Sequence, residues 1–178
     1  MKTYLTYGFA MAFVGALLNF ALYFAGYHSD PAKLTAAQVI GTVVGLGSAI
    51  TFIILGIRAR RAETPLTEEF GYGSALVSGI MVVLFASLIG TVLNYLYFHV
   101  INPGFADVVI QAQAQKMEAK GMSATSIEQM EAGVRRIMNP ALQAAIGFVG
   151  SMFFGTLVSL IAAIFLKRSA DEQPPLVA

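Results

Sequence analysis

The sequence predicts an all-α polytopic membrane protein, with four transmembrane helices in an antiparallel bundle and an extracytoplasmic helical hairpin between helices 3 and 4. Three observations lead there. Apolar residues make up 57% of the 178 and charged residues only 12%, about half the charged share of ordinary water-soluble domains. Four segments contain no Asp, Glu, Lys or Arg: Tyr4 to Tyr27, Leu34 to Ile57, Phe70 to Asn102, and Ile137 to Leu166. Each exceeds the roughly 20 residues that a helix needs to cross a hydrocarbon core of about 30 Å. Between the last two lies the only long stretch that mixes charge freely with apolar residues, Ile101 to Pro140.

The spans are expected at about 4–27, 36–57, 72–101 and 140–166, in a single membrane domain covering 1–168. The first is read as a retained anchor, because its apolar run is too long for a signal-peptide core. The connections His28 to Thr35 and Arg58 to Glu69 are short, which forces sequential helices to be antiparallel neighbours. The third span, from Ser74 to Ile101, would be roughly 42 Å long at 1.5 Å per residue, so it should tilt or project beyond the outer surface. Residues 169–178, with Pro174 and Pro175, are expected to form a disordered tail.

Orientation follows from Lys and Arg near the span ends. Lys2, the Arg58, Arg60, Arg61 run, and Lys167 with Arg168 fall on one side. The other side carries Lys33, Arg135 and Arg136 near the membrane. This bias places both termini in the cytoplasm and the 101–140 stretch outside. Tyr4, Tyr7 and Tyr72 mark the inner interface; Tyr23, Tyr27, Tyr95 and Tyr97 mark the outer one.

Each span also carries small residues at helical spacing. The stripes are Gly8, Ala12, Gly15 and Asn19 in the first, Gly41, Gly45 and Ser48 in the second, Gly79, Ser87, Gly90 and Asn94 in the third. The fourth has Ala144, Gly147, Ser151, Gly155 and Ser159. In lipid, helices associate through such close backbone approach. Gly41, Gly45, Gly147 and Gly155 are therefore expected to be helix-packing positions.

Within the 101–140 stretch, Asn102-Pro103 and Asn139-Pro140 each look like an N-cap followed by proline at the first helical position. The first helix, about 103–120, carries Phe105, Val108, Val109 and Ala112 on one face. Gly121 suits the left-handed position after its end. Thr125-x-x-Glu128 matches a capping box for a second helix at about 125–138. The hairpin carries four acids against four bases. It could serve as a lid over a pocket or as a strap packed on its own bundle.

No Asp, Glu, Lys or Arg lies inside any span, which counts against proton relays, voltage sensors and ion-coupled carriers. The net charge of +1 gives no case for nucleic acid, and with no cysteine there is no thiolate chemistry. His28 and His99, the only histidines, do not make a metal site by themselves, since zinc needs three protein ligands in definite geometry. No nucleophile elbow, phosphate loop or metalloprotease helix is present. No catalytic constellation, metal ligand set or cofactor is therefore expected. The polar residues that stand out are Asn19 and Asn94, at similar depth in the outer leaflet. They can line a pocket, with Gln38, Thr42, Tyr95, His99 and Gln143 near its mouth, or simply bond to each other between helices at about 1 kcal/mol.

Several short motifs share an order. "YGSALVSG" from Tyr72 to Gly79, "ILGIRARR" at the end of the second span, "KGMSATSIEQM" in the outer stretch and the closing "LIAAIFLKR" together resemble the bacterial domain-of-unknown-function 4199 family. The resemblance covers essentially the whole chain. It implies a four-helix bacterial membrane protein and supplies no activity or catalytic residues. The sequence departs from the commoner pattern at Tyr72, where Phe is usual, and at Ser74 and Val77, where Lys is frequent. A role resting on those lysines is not implied here.

Two functions remain. One is a non-enzymatic inner-membrane protein, structural or interaction-mediating, with the bilayer and a second copy or another membrane protein as partners. The alternative is a binder or carrier of a small neutral solute or lipid, using the polar cluster in the outer half.

Overall fold

The computed structural model describes residues 1–168; the segment expected to form a disordered tail lies outside the described residues. The order is α1 (Lys2–Phe24), α2 (Leu34–Glu63), α3 (Tyr72–Leu96), a π-helical turn (Tyr97–Ile101), α4 (Phe105–Glu118), α5 (Ala124–Ile137) and α6 (Pro140–Leu166). The described residues are all-α, and their single β-type pairing is an isolated bridge between Phe70 and Arg168. Four helices are long and apolar enough to cross a membrane: α1, α2, α3 continued through its π turn, and α6.

The element ends follow from local chemistry. α1 stops at Phe24 because Gly26 adopts a left-handed φ of 76°. The amides of Gly26 and Tyr27 then return to the carbonyls of Tyr23 and Leu22 at 2.9 and 2.8 Å, which closes the last turn. α2 continues past its apolar run to Glu63. Arg60 and Glu63 pair at 3.0 Å, the Thr3 hydroxyl donates to the Glu63 carboxylate, and basic side chains suit a helix C-terminus. At the end of α4, Gly121 has φ 70°, and Gly121 and Met122 donate to Glu118 and Met117 at 2.8 and 3.1 Å.

The helix starts in the 101–140 stretch depart from the sequence reading in two places. Asn139 caps α6, its side chain accepting from Ala141 and Leu142, with Pro140 in the first turn. Asn102 does not cap α4, which starts two residues later after Gly104. Asn102 is instead buried, its backbone amide held by the Tyr97 carbonyl at 2.8 Å and its side chain donating to the Tyr97 hydroxyl at 3.3 Å. Ser123, rather than Thr125, caps α5 by accepting from the Ser126 amide. It sits closer to the turn, where the free N–H groups begin.

The long helices pack α1 on α2 and α3, and α6 on α2 and α3, with α2 also touching α3. Their packing differs sharply between two ends. The basal half, near Lys2, Glu63 and Arg168, holds the main core: Ile53, Ile57, Phe70, Ala75, Val83, Ala162, Ala163 and Leu166. Here a methyl group added to Gly8, Gly56, Gly79 or Gly155 would fall within 3.0 Å of Phe85, Val82, Ser159 or Val83 respectively. Ser78 and Ser159, both buried, satisfy their hydroxyls on the carbonyls of Ser74 and Gly155 at 2.7 Å. The basal connection between α2 and α3 is tied down by buried Arg168. Its guanidinium donates to the carbonyls of Pro65 and Glu68, both at 2.7 Å, and its backbone amide donates to Phe70 at 2.8 Å.

At the distal end Tyr97, only 2% exposed, forms a hub. It meets Phe20, Tyr23, His28 and Phe98 edge to face at centroid separations of 4.9–6.3 Å, the arrangement favoured by ring quadrupoles. Val109 and Ala112 of α4 pack on Leu34 at the start of α2, flanked by Phe105, Val134 and Met138. Asp107 and Arg135 join α4 to α5 at 3.1 Å, but that pair is exposed and contributes little.

The two classes of glycine give opposite expectations. Gly8→Ala or Gly155→Ala should lower the stability of the detergent-solubilised chain by about 1–3 kcal/mol, the usual cost of overpacking. Gly45→Ala and Gly147→Ala, where nothing lies within 4 Å, should leave it unchanged or raise it by up to about 1 kcal/mol through helix propensity. Unfolding midpoints of the four variants measure the contrast.

Candidate functional site

The small-residue stripes that hold the basal half together continue into the distal half, where they stop touching. Methyl groups added at Gly15, Gly41, Gly45, Gly90 or Gly147 would meet nothing within 4 Å. Gly41, Gly45 and Gly147, expected to pack helices together, thus front open space, and Gly155 alone of that set makes the close approach. The physical difference lies in the partner helix. Val83 fills the space opposite Gly155, whereas the distal glycines face other small residues across a gap.

That gap is a cavity of about 460 Å³, lined by α1, α2, α3 with its π turn, and α6. Nothing from α4 or α5 lines it. Its size lies within the range of small-molecule pockets. No lining residue carries a formal charge, histidine apart. Met11, Ala12 and Ala86 lie towards the basal end, and Tyr95, His99, Pro140 and Gln143 towards the distal end.

The polar groups form levels along the cavity. At its basal end the Ser87 and Ser151 hydroxyls bond to each other at 2.7 Å, and Ser151 also lies 3.0 Å from the Phe148 carbonyl. Thr91 closes on the Ser87 carbonyl at 2.8 Å. Further up, the Asn19 side-chain amide donates to the Asn94 side-chain carbonyl at 3.1 Å, joining α1 to α3. That bond uses one acceptor of Asn94 and leaves the Asn94 N–H pair available. Two lining side chains have a buried polar atom with no hydrogen-bond partner: the hydroxyl of Ser48 and Nε2 of His99. A buried polar atom left unpaired costs about 1–3 kcal/mol. The ring of Tyr95 lies 4.8 Å from that of His99, and the Gln143 amide reaches the Met138 sulfur at 3.7 Å.

Of the residues singled out in the sequence, Asn19, Asn94, Tyr95, His99 and Gln143 line this one cavity, and Gln38 and Thr42 do not. Gln38 lies one turn beyond Gly41, where α2 turns Leu34 and Ala37 inward as buried residues and Leu34 already carries α4. Thr42 returns its hydroxyl to the Gln38 carbonyl at 2.8 Å. Phe98 and Thr91 were missed. Thr91 was detectable as the position four residues after Ser87, but the aim of Phe98 depends on the π turn, which has no sequence signal of its own. His28 and His99 are not brought together: His99 faces the cavity, and His28 belongs to the Tyr97 hub. Among the described residues no three His, Asp or Glu side chains converge to hold a metal.

His28 lies in the connection between α1 and α2 and is only 6% exposed. Its Nδ1 is 2.6 Å from the Tyr97 hydroxyl, and its ring is edge-on to those of Tyr97 and Phe105. Burial holds its pKa below the ordinary 6.5, because a charged imidazolium there would lose its hydration.

The family model described as Protein of unknown function (DUF4199) matches residues 6–168. No curated protein and no solved structure matches. The match spans nearly the whole chain, and the chain belongs to that family.

His28 sets the sign of one pH dependence. Above about pH 6.5 the imidazole is neutral in both folded and unfolded chains, so its contribution is fully present. As pH falls below that value the unfolded chain takes up a proton that the folded chain resists, and stability is lost. The melting temperature of the wild type should therefore fall more steeply between about pH 7 and 5 than that of His28→Gln. The difference between the two curves removes the contributions of His99 and the carboxylates.

Proposed function

We propose that this multi-pass membrane protein binds a small neutral molecule or lipid in the distal cavity, and that binding or carriage rather than chemistry is its role. The four spans would form an antiparallel bundle, with α4 and α5 as a hairpin on the outer side and both termini in the cytoplasm of a bacterial inner membrane. Exposed apolar side chains along the spans, Phe9, Phe13, Val43, Leu46, Val92 and Phe153 among them, suit contact with lipid, since a soluble protein rarely leaves such a surface open.

One observation carries the reading. A cavity of about 460 Å³ is walled by glycines that contact nothing across it, and two of its lining residues, Ser48 and His99, each have a polar atom without a hydrogen-bond partner. A purely structural bundle gains by filling such space, because a void forfeits the dispersion contacts of its lining. A ligand would supply those contacts. The lining favours a neutral ligand, because a buried charge without a counter-charge is strongly disfavoured. No pair of lining groups is arranged as nucleophile and base. α4 and α5 would act as a strap seated on the start of α2, since they contribute nothing to the cavity wall.

The experiment is native mass spectrometry of the purified full chain. The wild type is expected to retain a copurifying small molecule, and Asn19→Ala and Asn94→Ala should each lose it while remaining folded and monodisperse. Retention undiminished in both variants, or a wild type that carries nothing, would sink the proposal.

A further inference from the structure

The shape and chemistry of the cavity narrow the ligand beyond "small and neutral". We infer that it is an uncharged single-chain amphiphile, bound with its hydrogen-bonding head beside Asn94 and His99 and its chain directed along the glycine wall towards Ala86. The inference rests on the cavity being a binding site, as proposed above, and adds the class and the direction of what it holds.

Length is the first argument. The wall contributed by α3 and its π turn runs from Ala86 to His99, which is about 20 Å at 1.5 Å per residue. That elongated wall suits an extended chain, whereas a compact polar solute would leave most of it uncovered.

Polarity along the slot gives the direction. Its basal end offers Met11, Ala12 and Ala86, and the one polar pair there, Ser87 with Ser151, is closed on itself. Its distal end offers polar side chains to a head group: the amide N–H groups of Asn94 not engaged by Asn19, with His99 and Gln143 lining the wall beside them. A hydroxyl, amide or ester carbonyl satisfies such groups. A phosphate, carboxylate or ammonium head would find no opposite formal charge among the lining residues, which is the case that buried sites disfavour most.

The test uses the full chain exchanged into a sterol-based detergent, which has no extended alkyl chain to compete with the probes, with native mass spectrometry as readout. The probes are dodecan-1-ol and dodecanamide against dodecylamine and dodecanoate, equal in chain length and differing in head charge. A one-to-one adduct with the neutral probes, retained at least tenfold better than either charged probe, is expected. Asn94→Leu should weaken the neutral adducts about tenfold, the effect of one lost hydrogen bond. Gly45→Leu, placed where a side chain meets open space, should abolish them by filling the slot. Melting temperatures of both variants confirm folding. Equal retention of charged and neutral probes overturns the inference and leaves the cavity reading standing, as do neutral adducts unchanged in both variants. No adduct with any probe overturns it too; if the wild type also carries no copurifying molecule, the reading beneath it falls with it. Mass spectrometry of an organic extract of unexposed protein separates a resident bilayer lipid from an amphiphile that enters from outside.

Discussion

The fold depends on backbone contact in its basal half. Water drives soluble helices together, but among lipid chains apolar side chains gain nothing by leaving their surroundings, so association falls to close packing and interhelical hydrogen bonds. Gly8, Gly56, Gly79 and Gly155 provide that packing: each sits where even a methyl group would collide with the facing helix. Gly79 meets Ser159 while Gly155 meets Val83, and with Ser87 on Ser151 these contacts fix how α3 lies along α6. Gly8 and Gly56, which face Phe85 and Val82, set α1 and α2 against the same α3 surface.

With the helix positions fixed at one end, the other end is free to diverge, and its sequence lets it. The inward faces keep their small residues but lose the branched side chains, Val82 and Val83, that fill the space opposite basal glycines. Divergence is then held at a set distance from above. Tyr97 draws Phe20, Tyr23 and His28 around itself, Asn102 ties the chain back to its hydroxyl, and α4 seats on Leu34. The π turn matters here because its wider winding changes the angle between Tyr97 and the residues after it. Tyr97 points into the hub while Phe98 and His99 line the cavity.

Sequence reasoning reaches the spans because they depend on a property of single segments, the absence of charge over a membrane's thickness. It also reaches the inward face of each helix, since Asn19 and Asn94 lie on their stripes and meet at 3.1 Å. Whether a stripe touches its neighbour or stands off from it is a property of pairs of helices, and there the reading of Gly41, Gly45 and Gly147 departs from the structure. The two Asn-Pro dipeptides make the same point locally. Asn139 begins a helix in open surroundings and caps it. Asn102 has the same neighbour, but it follows a π turn beside a buried tyrosine hydroxyl, and that tertiary partner wins over the capping preference. Gln38 had the right spacing from Gly41 and the wrong height, because a helix wheel carries no information about where a cavity closes.

The cavity also bears on why those glycines are there at all. Alanine at Gly41, Gly45 or Gly147 would meet nothing and favours a helix by about 1 kcal/mol at each site. Three such changes would also shrink a void that deprives its lining of contacts. Stability of the bundle alone therefore argues for alanine at positions where glycine stands, while at Gly8 and Gly155 it argues for glycine. A role for open space accounts for both classes under one rule: close approach where helices must touch, and absent side chains where something else must fit. Ser48 and His99, each with an unpaired polar atom, are among the residues lining that same space, so the proposed occupant would meet an apolar wall with polar side chains beside it.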